Sequence, residues 1–165
     1  MTGDMKRHFS LLAVLFALVL NVRSVQGQQL TVQNESGKQI VLSRSDIEGL
    51  PHVQATAGTP SDPITYEGVT LKSALEKAGV SFGESLKGKR LGFCLMVQAA
   101  DGYRVVIALP ELDPAFTDKR ILLVFLRNGK LLDEKEGPYR VVIPDEKKMA
   151  RWTKQVTLLK IVDVP

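Results

Sequence analysis

Residues Leu91–Asp113 read LGFCLMVQAADGYRVVIALPELD, and this stretch decides the fold. Two short apolar runs, Leu91–Val97 and Val105–Leu109, flank Asp101-Gly102. Runs of this length, rich in Val, Ile, Leu and Phe, read as buried strands. Asp-Gly joins strands because Asp bonds its own backbone and Gly accepts positive φ. Tyr103 and Arg104 therefore fall at the lip of the second strand. Pro110 and Asp113-Pro114 end that strand and bracket a short turn or helix, Glu111–Asp113.

A second hairpin follows. Ile121–Leu126 and Leu131-Leu132 are joined through Arg127-Asn128-Gly129-Lys130, and Asn-Gly between apolar runs is a strong hairpin signal. Upstream, Leu30–Val32 and Gln39–Leu42 flank a polar turn and read as an opening hairpin. Ser43–Asp46 carries cap residues for one helical turn at Ile47–Leu50, ended by Pro51. Val53–Ala57 reads as a strand, Gly58–Pro63 as a loop by composition, and Ile64–Val69 as a lead into a helix. Leu71, Ala74, Leu75 and Ala78 share one helical face, with Thr70 to cap the start and Gly79 the end. Asp133–Glu136 is a charged, solvated turn, and Arg140–Ile143 is a strand stopped by Pro144. Trp152 reads as core, and Gln155–Val164 as the last strand. The sum is an α+β domain with a mixed or antiparallel sheet and one main helix.

The chain opens differently. Lys6-Arg7-His8 precedes an apolar run, Phe9–Val22, and then Val25-x-Gly27. A basic region, an apolar core and small residues before a cut make a signal peptide, residues 1–27, and place the remainder in a periplasm or outside the cell. Removing it takes Lys6, Arg7, Arg23 and Asp4 and lowers the formal charge from +4 to +2. That balance is too small and too scattered for a nucleic-acid partner, and no membrane contact is expected after cleavage. Cys94 is the single cysteine, so an internal disulfide and a cysteine-rich zinc site are excluded. With His8 in the leader, any histidine-based catalysis has to rest on His52.

The order of short motifs carries a resemblance. Tyr66-x-Gly68-Val69-x-Leu71-x-x-x-Leu75-x-x-Ala78-Gly79 comes first, followed by Asp101-Gly102-Tyr103 and Asn128-Gly129-x-x-Leu132. Gly137-Pro138-x-Arg140-Val141-Val142-Ile143-Pro144 and Ala150-Arg151-Trp152-x-Lys154-x-Val156 complete it. From Ser43 to Val164 the chain resembles the molybdopterin-binding catalytic domain of the sulfite oxidase family, in a small exported form spanning residues 28–165. The resemblance implies a sulfite-oxidase-like α+β fold with packed β layers and oxygen-atom transfer at molybdenum. It also implies Tyr103 beside the substrate, and a cofactor contacted by Arg140, held by the stiff Gly137-Pro138, and by Arg151 and Lys154.

One departure touches the chemistry itself. The family's molybdenum is bound by a cysteine thiolate ahead of the Gly-x-x-Leu helix, and here that segment, His52–Ile64, reads HVQATAGTPSDPI. It holds neither that cysteine nor the arginine that follows it in sulfite oxidases. No metal ligand is therefore assigned, and Cys94, mid-strand in an apolar run, is a poor substitute. Two readings follow. In one, the chain is a periplasmic module that binds a small anionic ligand, a pterin or a protein partner. In the other, it is a molybdopterin-dependent oxidoreductase with an atypical metal site. From composition alone, Tyr103 also reads as a packing aromatic at a hairpin end, and Arg151 and Lys154 as a solvated face.

Overall fold

The structure, a computed structural model, describes residues 29–59, 61–144 and 146–164; the expected leader lies outside the described residues. Strands β1 (Leu30–Gln33) and β2 (Gln39–Leu42) form the opening hairpin. Helix α1 (Arg44–Glu48) follows, and Ser43 and Asp46 cap it reciprocally, Ser43 N donating to Asp46 Oδ2 at 2.9 Å. Strands β3 (Val53–Thr59) and β4 (Asp62–Thr70) lead into helix α2 (Leu71–Lys77), whose first turn is capped by Thr70. Then come β5 (Phe93–Ala99), β6 (Arg104–Ala108), β7 (Leu122–Arg127), β8 (Lys130–Leu131), β9 (Arg140–Val142) and β10 (Val156–Asp163). Single 3₁₀ turns at Leu109–Leu112 and Met149–Arg151 fill two of the connections.

Two sheets share one core. The first has the order β2-β1-β10-β5-β6, antiparallel except for β1 beside β10, which is parallel. The second runs β3-β4-β7, and the far edge of β7 is shared by β8 and β9. Burial follows strand alternation: on β6, Val105 and Ile107 point inward while Arg104, Val106 and Ala108 face out. β7 lacks that alternation, and Leu122–Phe125 are all buried, as a strand covered on both faces requires. The fold is thus α+β, as the sequence pattern predicts. No helix among the described residues is long and apolar enough to cross a membrane.

Gly58–Pro63 departs from expectation. Composition reads it as a loop, but Gly58 pairs with Pro63 and Thr59 with Asp62, so the β3–β4 hairpin runs almost to its tip. Pro63 is tolerated because β7 pairs with β4 only from Tyr66 onward, which leaves no partner for a missing N–H on that side. α1 also starts three residues earlier than Ile47, because its cap is Ser43 rather than a later residue.

Tyr139 supplies a pH test of the core. It is 1% exposed, and its hydroxyl has no hydrogen-bond partner among the described residues. Burial pushes its pKa up to about 12. An unfolded tyrosine ionises near 10, so the folded state disfavours the phenolate. The stability this confers is complete below about pH 10 and is lost as the pH rises towards about 12, an effect of roughly 3 kcal/mol. Urea titrations should show the native chain losing that much more than Tyr139→Phe across this window. Equal losses in the two proteins would refute it.

Candidate functional site

The β5–β6 hairpin builds one wall of the site. Gly102 takes φ +86, and Asp101 Oδ1 accepts from Tyr103 N at 2.9 Å, which fixes the tip. Tyr103 leaves this turn half-exposed, and its hydroxyl donates to Ala150 O at 2.7 Å. Ala100 N donates to Gln155 O at 2.9 Å, a second tie between the hairpin and the segment before β10. Between these ties lies a cleft of about 380 Å³, bordered by Tyr103, Lys135, Met149, Trp152, Lys154 and Gln155. Lys135 has no carboxylate partner among the described residues, whereas Lys154 Nζ lies 3.6 Å from Glu136 Oε1.

Arg140 sits elsewhere. It is 5% exposed, and its Nη1 donates to Glu136 Oε1 at 2.7 Å and to the Tyr66 hydroxyl at 3.2 Å. Its guanidinium carbon lies 5.4 Å from the Tyr66 ring centre and 5.6 Å from that of Trp152, within cation–π range. Arg127 Nη1 is 3.5 Å from the same Glu136 oxygen. Three cations thus converge on one buried carboxylate, and Trp152 is shared between this hub and the cleft. The hub is fixed by the backbone: Glu136 N donates to Asp133 Oδ1 at 3.0 Å, and Glu136 O accepts from Gln155 N at 2.9 Å.

Arg151 is engaged by two carboxylates. Its Nε donates to Glu146 Oε1 at 2.7 Å, its Nη2 bonds the same oxygen, and Nη1 and Nη2 reach the two oxygens of Glu111 at 3.3 Å each. Burial opposes its charge, but the hydrogen bonds it donates to Glu111 and Glu146 prevail and hold its pKa above the ordinary arginine value. Glu111 mirrors this: burial pushes its carboxyl up, yet Arg151 and the Ala108 amide bring it below the usual range. Gly137 and Pro138 line a separate hollow of about 260 Å³ with Leu132, Asp133 and Glu134.

Of the site residues expected from sequence, Tyr103 and Lys154 therefore share the cleft. Arg140 lies inside the domain behind Trp152, Arg151 is clamped between Glu111 and Glu146, and Gly137-Pro138 borders another surface. Sequence reasoning missed Glu136, placing it on a solvated turn although it is 8% exposed. It also missed Lys135 and Met149 as neighbours of Tyr103. Only their approach in three dimensions marks these residues.

The donor set does not suit a molybdenum–pterin centre. The segment to which the resemblance assigns the thiolate forms the β3–β4 hairpin, and it has no cysteine. Cys94 lies on β5, paired on both sides by β6 and β10; it is 8% exposed, and burial pushes its thiol up, away from the thiolate that a metal needs. Among the described residues, no three His, Cys, Asp or Glu side chains gather where an ion would fit. His52 has a structural place, with Nδ1 3.0 Å from Glu67 Oε1, Nε2 3.0 Å from Glu48 O, and its ring edge-on to Phe125.

No protein-family model matches the chain, and no curated protein matches it. Among solved structures, the fold is similar to that of the sulfane dehydrogenase SoxCD from Paracoccus pantotrophus, with a TM-score of 0.64 at 21% identity. The match covers 83% of this chain and 38% of that one, so this chain spans well under half of its neighbour's length. At that identity the likeness is one of fold, and it agrees with the sulfite-oxidase-like α+β architecture expected from the motif order.

Proposed function

We propose that this chain is an exported binding module on a sulfite-oxidase-like scaffold, and that it holds a small anion at the cleft beside Tyr103. Export is supported by the basic, apolar and small-residue pattern of residues 1–27. The observation that carries the ligand reading is how the cations are distributed. Arg140 and Arg151, the residues that would grip a cofactor, are paired with internal carboxylates. Lys135, with no carboxylate partner among the described residues, and Lys154, half-exposed although 3.6 Å from Glu136, border an open cleft next to a tyrosine whose ring is held in place. Lysines on flexible stems act as point charges that can meet anions of different shape.

The test is a titration of the mature chain with sulfate, sulfite and phosphate at low ionic strength, followed by amide NMR. Shifts should cluster at Tyr103, Lys135 and Lys154. The double variant Lys135→Gln/Lys154→Gln should weaken binding about tenfold, as expected when about 1.4 kcal/mol of charge attraction is lost. Absence of saturable shifts would refute the reading. The likeness to a dehydrogenase favours a second reading, a molybdopterin-dependent oxidoreductase with an atypical metal site. Protein purified from its native host would then carry stoichiometric molybdenum and release a fluorescent pterin on acid oxidation. A blank in both assays removes that reading.

A further inference from the structure

We infer that the cleft beside Tyr103 takes an organic monoanion with an apolar body, a carboxylate or sulfonate carrying an aliphatic or aromatic tail, in preference to an inorganic oxyanion. The inference rests on the reading of this cleft as an anion site. Size is the first argument. The cleft measures about 380 Å³. One water occupies about 30 Å³ of liquid, so a bare tetrahedral oxyanion fills only a minor share of that space. Volumes of about 300 Å³ and upward are those of sites for larger organic ligands.

The walls give the second argument. Tyr103 is 50% exposed and Met149 58% exposed, and both face this one cleft together with Ala99 and Ala150. The Tyr103 ring is fixed through its hydroxyl to Ala150 O at 2.7 Å, so it offers a flat apolar platform without losing further freedom on binding. Met149 is unbranched and polarizable, which lets it close over tails of different shape.

Electrostatics give the third. Lys154 already faces Glu136 at 3.6 Å, so its charge is partly answered from inside. Asp101, on the same hairpin tip as Tyr103, adds a negative charge to the lining. A divalent oxyanion is repelled by Asp101 and drawn only in part by Lys154, whose charge Glu136 shares. A monoanion meets less, and its tail gains from covering Tyr103 and Met149. Exposed lysine–anion pairs are weak on their own, so affinity has to come from that covering.

The experiment titrates the mature chain with octanoate, acetate, sulfate and uncharged octanol at one fixed ionic strength, read by NMR. Octanoate should bind at least about tenfold tighter than acetate or sulfate, a fraction of what full burial of its extra methylenes gives. Met149→Ser should weaken octanoate several-fold and leave acetate unchanged, since Met149 is exposed and its replacement spares the fold. Lys135→Gln/Lys154→Gln should weaken octanoate, and octanol should not compete. Sulfate binding as tightly as octanoate overturns this inference and leaves the anion-site reading standing. Octanol binding as well as octanoate, or no binding by any of the anions, overturns both.

Discussion

Gly68→Ala is expected to destabilise the domain by about 3 kcal/mol or more, a large share of the roughly 5–15 kcal/mol that holds a domain folded. A Cβ built on Gly68 would stand 2.1 Å from Leu123 O, 2.5 Å from Val124 Cα and 2.8 Å from Leu123 C. All three are backbone atoms of β7, so no side chain can rotate away. Nor can β7 retreat, since β9 lies along its other edge at Val124, Leu123 and Leu122, and the strand is buried on both faces. The close approach coincides with a register shift between β4 and β7 at Glu67/Gly68, where the ladder is drawn together. Gly92→Ala is the control: the nearest atom to its built Cβ is Val164 O at 3.6 Å, an ordinary contact, and the change should stay within about 1 kcal/mol. Urea midpoints of the two variants decide the matter, and a Gly68→Ala protein as stable as Gly92→Ala would show that the sheets can part more easily than this geometry permits.

Gly68 also shows what a sequence can reveal. Local geometry writes itself into local residues. Asp101-Gly102 and Asn128-Gly129 mark their turns because only such residues accept φ of +86 at Gly102, +49 at Asn128 and +72 at Gly129. The Thr70 cap was legible for the same reason, because its hydroxyl meets Ser73 N within one turn, at 3.0 Å. Pairings between distant segments leave no such trace. The parallel contact of β1 with β10 joins Thr31 to Leu158, and nothing near either residue announces it. The Gly58–Pro63 segment misled because its composition is that of a loop, while the structure continues the β3–β4 ladder through it and Pro63 is tolerated where β7 does not reach. The candidate site divides along the same line. Tyr103 could be placed from the turn beneath it. Glu136 could not, because a carboxylate is buried only where cations from other elements meet it. Here they come from Arg127 at the end of β7, Arg140 on β9 and Lys154 ahead of β10.

That convergence predicts an asymmetry between the two partners of the buried pair. Glu136→Ala strips Arg140 of its carboxylate and leaves a guanidinium 5% exposed, with only the Tyr66 hydroxyl at 3.2 Å and two ring faces for company. Its Nε already lacks a hydrogen-bond partner among the described residues, so little remains to compensate the charge. Breaking a buried pair this way costs about 3–5 kcal/mol. Arg140→Met is expected to be milder, about 1–2 kcal/mol, because Glu136 keeps Arg127 at 3.5 Å and Lys154 at 3.6 Å, although both are partly exposed and correspondingly screened. The double variant Glu136→Ala/Arg140→Met should recover most of what Glu136→Ala loses, since the stranded charge is gone. Denaturation of the three proteins yields the coupling directly. A residue kept for an outside ligand alone would show the opposite pattern: Arg140→Met silent in stability, and Glu136→Ala no worse than an ordinary truncation. Equal losses from the two single changes would mean that Arg127 and Lys154 do not share the carboxylate, and the internal neutralisation of Arg140 would then have to rest on its aromatic neighbours.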